Sequence, residues 1–345
     1  MGFLSTNAME IMNKDNVLPA SLPYLRCDNG EPFVSIIIPA FNQSHYTNTC
    51  LKQVLQHSPL EHCQIIVVDN HSTDNTPKLL KSYGESIQIL TNEENFGFAT
   101  ACNQGAEAAA GRYLLFLNND TEVQPGWLEP LIETMESDTD IGAVGSQLLY
   151  PDGTVQHAGV IIIAQRDKCT LLPRHVFAGE APTRIPVDQP MFFKVVTAAC
   201  LLVEKLTFQA IGGFDEAYWN GSEDVDFCFK LQQAGKKIAY EPRSVVIHHE
   251  SKSGRERQSA LARNNARLRA RWDQIIQPDL IQEGWIARRA PNSPVRTRCK
   301  ATLDSIRYLE MAADWWTERV TGEKRQQERL IARLAKAVQQ FRRRI

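Results

Sequence analysis

Four short strand-like runs, Val34-Ser35-Ile36-Ile37-Ile38-Pro39, Ile65-Ile66-Val67-Val68, Ile87-Gln88-Ile89-Leu90 and Tyr113-Leu114-Leu115-Phe116-Leu117, punctuate the first third of the chain. Between them lie stretches of helical spacing: Leu51, Val54 and Leu55, a segment opened by Ser72-Thr73-Asp74, and an Ala-rich segment over 98–110. A run such as the first, apolar on both faces, must be covered on both faces, which is the condition of a parallel strand between helices. Repeated alternation with short connections predicts an α/β fold: a mostly parallel, doubly wound sheet with helices on both faces.

Residues 1–32 are polar and aperiodic and read as an N-terminal leader. A domain is expected over 33–254, divided into halves at 33–125 and 126–254. The pattern loosens over 142–190 and tightens again at 195–203. A helix from Glu223 should end at Gly235, a residue type suited to a helix C-terminus, before strands over 237–240 and 245–248. Residues 255–345 read as a basic helical extension. It comprises a helix over 260–272, a break at Pro291 and Pro294, and a last helix with apolar residues at Ile306, Leu309, Ala313, Trp316 and Val320.

With 345 residues, 43% of them hydrophobic, the chain is long enough for one large domain and an appendage. A net charge of -2 supplies no polycation for nucleic acid. Eight cysteines without CxxC spacing suggest neither a disulfide framework nor a zinc site. No run approaches the roughly 20 apolar residues that span a bilayer, so a cytoplasmic protein is expected, with peripheral membrane contact left open.

Ligands of an open α/β sheet bind beyond the carboxyl ends of its strands. Those ends carry Pro39-Ala40-Phe41-Asn42, Asp69-Asn70-His71-Ser72, Asn95-Phe96-Gly97-Phe98 and Asn118-Asn119-Asp120, which together describe one polar crevice. Neither GxxxxGK[ST] nor GxGxxG is present. A diphosphate held without a Gly-rich loop needs a divalent cation, and Asp120 is a hard carboxylate of the kind that Mg²⁺ or Mn²⁺ prefers.

A second cluster is Gly212-Gly213-Phe214-Asp215-Glu216 followed by Glu223-Asp224-Val225-Asp226. Acids favour a helix N-terminus, by roughly 0.3–1 kcal/mol each. That accounts for one of them, but not for three beside Trp219 and Phe227. A general base that accepts a proton from a sugar hydroxyl needs to be ionised at pH 7 and well placed, and Asp224 meets the first condition. His248-His249 ends a strand and reads equally well as a hydrogen-bonded structural pair or as a source of a ligand.

In order and spacing these motifs, spread over about residues 33–250, resemble glycosyltransferase family 2, and within it the bacterial rhamnosyltransferase-like branch. The resemblance implies a GT-A-type, Rossmann-like fold. It also implies that Pro39, Phe41 and Asn42 line a nucleotide pocket with Asp69, whose carboxylate meets the base, and that Asn95, Gly97 and Asn103 complete the base and ribose contacts. Asn118-Asn119-Asp120 stands where the family has its DxD motif. Asp120 and His248 would therefore hold the metal, and Asp224 would be the base, with Glu223, Asp226 and Trp219 on the acceptor side. Asn118 replaces the first carboxylate of that motif, which shifts metal affinity toward Asp120, His248 and the phosphates.

The implied reaction is inverting transfer from a UDP- or dTDP-sugar to a saccharide or lipid-linked acceptor in cell-surface polysaccharide synthesis, with Mn²⁺ or Mg²⁺ as cofactor. Alternatives are a sugar-nucleotide nucleotidyltransferase, which would need a Gly-rich loop after the first strand, and an inactive nucleotide-sugar-binding or assembly module. The basic C-terminal residues and the apolar stripe suit either self-association or docking on an anionic leaflet.

Overall fold

The computed structural model describes residues 32–165, 170–185, 189–250, 254–276, 280–283 and 286–289. The leader expected over 1–32 (apart from Pro32) and the striped helix expected beyond residue 300 lie outside the described residues. Chain order begins β1 (Val34–Ala40), α1 (Ser44–His57), β2 (Cys63–Asp69), α2 (Thr76–Ser82), β3 (Gln88–Thr91), α3 (Gly97–Ala108) and β4 (Tyr113–Leu117). β1 lies between β2 and β4, parallel to both, and β3 extends the sheet from β2.

Alternation along β1 feeds two cores. Ile36 and Ile38 pack with Cys50, Leu51 and Val54 of α1, whereas Ile37 packs with Ala101, Cys102 and Ala106 of α3. All three isoleucines are fully buried, and each contributes about 1.5–3 kcal/mol through apolar area removed from water. α2 begins at Thr76 rather than near Ser72 because Asp74 is occupied at the turn. Its carboxylate accepts from the N–H groups of Thr76 at 2.9 Å and Ser44 at 3.0 Å, so the approach to α2 is tied to the start of α1.

The second half contains β5 (Thr121–Val123), α4 (Glu129–Ser137), β6 (Ile141–Leu149), β7 (Val155–His157), β8 (Val160–Gln165), β9 (Thr170–His175), β10 (Met191–Phe193), β11 (Cys200–Glu204), α5 (Lys205–Ala210), α6 (Glu223–Gln233) and β12 (Lys237–His248). β11 inserts antiparallel between β4 and β6, and β12 runs parallel to β6. The main sheet reads β10-β12-β6-β11-β4-β1-β2-β3. It is a mostly parallel sheet with helices on both faces, the expected class.

Two strands expected over 237–240 and 245–248 are one strand, β12, whose register shifts between Glu241 and Val245. The irregularity closes around Glu241, which is fully buried. Its carboxylate accepts from the Arg243 backbone N–H and guanidinium at 2.8–2.9 Å and from the Thr134 hydroxyl at 2.6 Å.

Beyond residue 250 come α7 (Gly254–Trp272), β13 (Leu280–Glu283) and β14 (Ile286–Arg289). α7 covers the helix expected over 260–272, but the two strands do not fit an all-helical extension. β13 pairs with β8 in a second sheet ordered β14-β13-β8-β9, and Trp272 of α7 packs edge-on against Phe229 of α6 at 5.4 Å. Among the described residues no helix is long and apolar enough to cross a membrane.

β7 turns into β8 through Gly159, which has φ +98°, and a Cβ at that position would collide with the Phe193 ring. Gly159→Ala is expected to lower unfolding free energy by about 2 kcal/mol or more, from left-handed strain plus overpacking. Urea denaturation of parent and variant would measure the difference.

Candidate active site

The loops after β1 and β2 are locked together before any ligand arrives. Asn42 adopts φ +56°, a conformation that Asn tolerates better than most residues. Its side-chain oxygen accepts from the N–H groups of Thr73 at 2.8 Å and Asp74 at 3.2 Å, and its own N–H donates to the Ser72 hydroxyl at 2.7 Å. Asn70 does the same for the loop after β3. Its amide donates to Asn95 Oδ1 at 2.8 Å and to the Gly97 carbonyl at 3.1 Å, and its oxygen accepts from Asn92 and from the Phe96 N–H. The turn residues at these strand ends therefore also fasten neighbouring loops to one another.

A cavity of about 750 Å³ opens at the carboxyl edge of the sheet. Pro39, Phe41, Asn42, Asn70, Asn95, Asn119 and Asp120 border it from the first half of the domain; Glu223, Asp224 and His248 border it from the second. Five of the expected site residues sit behind that lining. Asp69 is buried and accepts the Ser72 N–H at 3.0 Å. Gly97 (φ +85°) lies against Trp219, so closely that a Cβ would sit 3.1 Å from the indole. Asn103 points away from the crevice to the Gly-Gly-Phe loop: its amide donates to the Phe214 carbonyl at 3.0 Å and its oxygen accepts the Phe214 N–H at 3.1 Å. Its place is that of a clamp between α3 and residues 213–216, rather than of a base or ribose contact. Asp226, fully buried, and Trp219, half-buried, do not border the cavity either.

Asp120 and His248 come together at the far wall, with Oδ1 3.1 Å from Nε2. Burial pushes the Asp120 carboxyl up, but the hydrogen bond and charge of His248 outweigh it and hold the group below its ordinary value. The His248 tautomer is set by a residue that sequence reasoning passed over. Gln156 directs its amide nitrogen at the His248 carbonyl, 3.2 Å away, which leaves its oxygen 2.7 Å from Nδ1. Nδ1 must then carry a hydrogen. Nε2 either holds a second proton against Asp120 or presents its lone pair to a cation shared with that carboxylate. Asn118 Nδ2 stands 3.2 Å from the same nitrogen. Among the described residues no third His, Cys, Asp or Glu joins this pair. Two protein donors suit a Mg²⁺- or Mn²⁺-type ion that completes its shell with water and phosphate oxygens.

The three acids at the head of α6 have separate surroundings. Glu223 accepts the Gly221 N–H at 2.6 Å. Asp226 is fully buried and accepts from Trp272 Nε1 at 2.7 Å, Arg271 at 3.2 Å and the Tyr218 hydroxyl at 3.3 Å, with Lys230 at 3.4 Å. It fastens α7 to α6. Asp224 borders the cavity and accepts the Ala198 N–H at 3.3 Å and its neighbour Val225's at 2.8 Å. Asn220, Gly221 and Ser222, just before them, all have positive φ (48°, 146° and 73°). Backbone strain of this kind costs about 1–3 kcal/mol per non-Gly residue and persists only where the surroundings impose it.

His175 also borders the cavity, its Nδ1 2.9 Å from Nδ1 of His157. His157 is fully buried, and desolvation holds its pKa well below the ordinary value. Neither histidine carries a motif in the sequence; His157 ends β7 and His175 ends β9 opposite Val160 of β8, so only the folded chain brings them together.

These surroundings separate the acids by stability alone. Asp226→Asn should cost about 2–4 kcal/mol, since it leaves buried cationic and indole partners half-satisfied. Asp224→Asn should stay within about 1 kcal/mol of the parent. Chemical denaturation of the two variants side by side would check the order.

Residues 35–197 match the profile described as Glycosyl transferase family 2. The chain is 34% identical over 234 residues to the O-antigen biosynthesis protein RfbC of Myxococcus xanthus, a match covering 66% of this chain but only 18% of that protein. It is 28% identical over 224 residues to an N-acetylglucosaminyl-diphospho-decaprenol L-rhamnosyltransferase of Mycobacterium tuberculosis, covering 57% and 70% respectively. The crystal structure of GalNAc-T7 with UDP, GalNAc and Mn²⁺ superposes with a TM-score of 0.57 at 19% identity, over 71% of this chain and 49% of that one. The fold is accordingly that of the GT-A glycosyltransferases. Over residues 35–197, then, the chain is similar to glycosyl transferase family 2, and over a longer stretch to proteins of O-antigen biosynthesis and rhamnosyl transfer.

Proposed function

We propose that the protein is an inverting glycosyltransferase, and that Asp224 is its general base. The observation that carries this reading is that Asp224 borders the same cavity as the amide-lined strand ends and the Asp120–His248 pair, while Asp226 is committed to α7 and Glu223 to Gly221. A UDP- or dTDP-sugar would lie along the loops after β1, β2 and β3, its diphosphate toward Asp120 and His248. Among the described residues the cavity lining includes Asp120, Glu223, Asp224 and Glu250 but no Lys or Arg, so a diphosphate needs a counter-charge that arrives with it. A divalent cation held by Asp120 and His248 would supply that charge and stabilise the departing diphosphate.

The protein's own steps are then few. The strand-end loops, already cross-braced, orient the donor. Asp224 takes the proton of an acceptor hydroxyl as that oxygen attacks the anomeric carbon. The bond to the diphosphate breaks with its electron pair on the leaving oxygen, and configuration inverts. The O-antigen and rhamnosyltransferase relatives support a hexosyl or deoxyhexosyl donor and a saccharide or lipid-linked acceptor, in cell-surface polysaccharide synthesis.

Asp224→Asn should reduce transfer and donor hydrolysis by about 10³-fold or more while leaving UDP or dTDP binding within about twofold of the parent. Parental turnover in the variant would remove Asp224 from the role.

For the cation, activity should vanish in excess EDTA and return with Mn²⁺. Asp120→Ala should weaken UDP binding in Mn²⁺ far more than uridine binding. Gln156→Leu, which frees the His248 tautomer, should lower Mn²⁺ affinity about 10–100-fold in a titration followed by electron paramagnetic resonance. Full activity in EDTA would sink the metal assignment.

A further inference from the structure

We propose that Asn264, on α7 and outside the family-matching segment, is a positioning residue for the candidate base, so that the catalytic site is complete only when α7 is docked. This rests on the reading of Asp224 given above. The Asn264 side chain is 2% exposed, and both ends of its amide are spent on one short loop. Nδ2 donates to the Gly221 carbonyl at 2.7 Å and the Trp219 carbonyl at 2.9 Å, while Oδ1 faces the Trp219 N–H at 3.4 Å. That loop is the one in which Asn220, Gly221 and Ser222 hold positive φ immediately before the first turn of α6, where Asp224 projects.

The loop has only a few other ties. The Asn220 oxygen accepts the Phe98 N–H at 2.8 Å, the Gly221 N–H donates to Glu223, and the Trp219 ring rests on Gly97. The ties through Asn220 and Trp219 reach the start of α3 in the donor half. Asn264 supplies the opposing hold from the C-terminal side, by capturing two backbone carbonyls that the left-handed turn leaves without strand or helix partners. α7 is in turn pinned by the bonds of Asp226 to Arg271 and Trp272, two turns further along the same helix. A hold of this kind acts on geometry, and small misplacements of a base carry large rate penalties.

The test uses the full chain, with hydrolysis of a UDP- and dTDP-sugar panel in Mn²⁺ as the probe, water standing in for the acceptor. Asn264→Asp is the main variant: it keeps the volume but sets a carboxylate against the two carbonyls. Asn264→Ala is the second. In a folded variant, kcat for hydrolysis is expected to fall at least tenfold, with KM for the sugar nucleotide and UDP affinity within about threefold of the parent. In an Asp224→Asn background the same substitution should cost less than about twofold, because a residue that acts through Asp224 has little left to misplace. Parental kcat in both variants overturns the proposal, as does an equal loss in the Asp224→Asn background. Failure of both variants to fold also overturns it, since Asn264 would then belong to the fold and not to the site. Parental hydrolysis by Asp224→Asn alone is a different result: it removes the base assignment whatever Asn264 does.

Discussion

A sheet sealed by helices on both faces has little room for polar side chains except at its edges and ends, and much of this molecule follows from that restriction. β1 between β2 and β4 is buried along its whole length, so the chain's polar capacity is displaced to the carboxyl ends of the strands. The crevice forms there because the strands end side by side. Insertion of β11 against β4 carries Ala198 and Ala199 to the same edge, and the antiparallel pairing of β12 with β5 brings His248 to Asp120.

What holds the loops of that edge is mostly amide chemistry. Asn42, Asn70, Asn103, Gln156, Asn220 and Asn264 each tie backbone or side chains from segments distant in sequence. An amide offers two donors and an acceptor with two lone pairs and carries no net charge, so it satisfies several backbone groups without the desolvation cost of an ion. Charge is reserved for a few places. Asp226, Glu241 and their arginines secure helix and strand, and Asp120 and Asp224 face the cavity.

Much of this architecture was legible in the sequence, for a local reason. Strand runs such as 34–39 and 113–117 declare themselves through burial on both faces, and the residues just after them are the ones that reach the crevice. The limits were non-local. Asp69 is buried with one carboxylate oxygen on the Ser72 N–H, a tie its letter does not announce, and Asn103 looked like a crevice residue but faces Phe214. Glu223, Asp224 and Asp226 are indistinguishable as letters; they differ only once α7 and the Gly221 turn are in place. Gln156, His157 and His175 sit in a stretch whose short strands have no strong period, and only the folded sheets give them neighbours: β7 on β6 for the first two, β9 on β8 for the third. β13 escaped notice because its partner, β8, lies more than a hundred residues earlier.

The docking of α7 has a consequence in time as well as in space. A ribosome delivers residues 34–117 first, as a run of parallel strand and helix units whose contacts are largely between near neighbours. The turn at residues 219–222 follows, but the helix whose side chains grip it is made afterwards, and the strand that closes the second sheet later still. At about 5–20 residues per second, several seconds separate a nascent chain that has the loops after its first strands from one that has all of its crevice. The emerging domain acquires the cross-braced loops after β1, β2 and β3 before it acquires the last contacts around the turn that precedes Asp224.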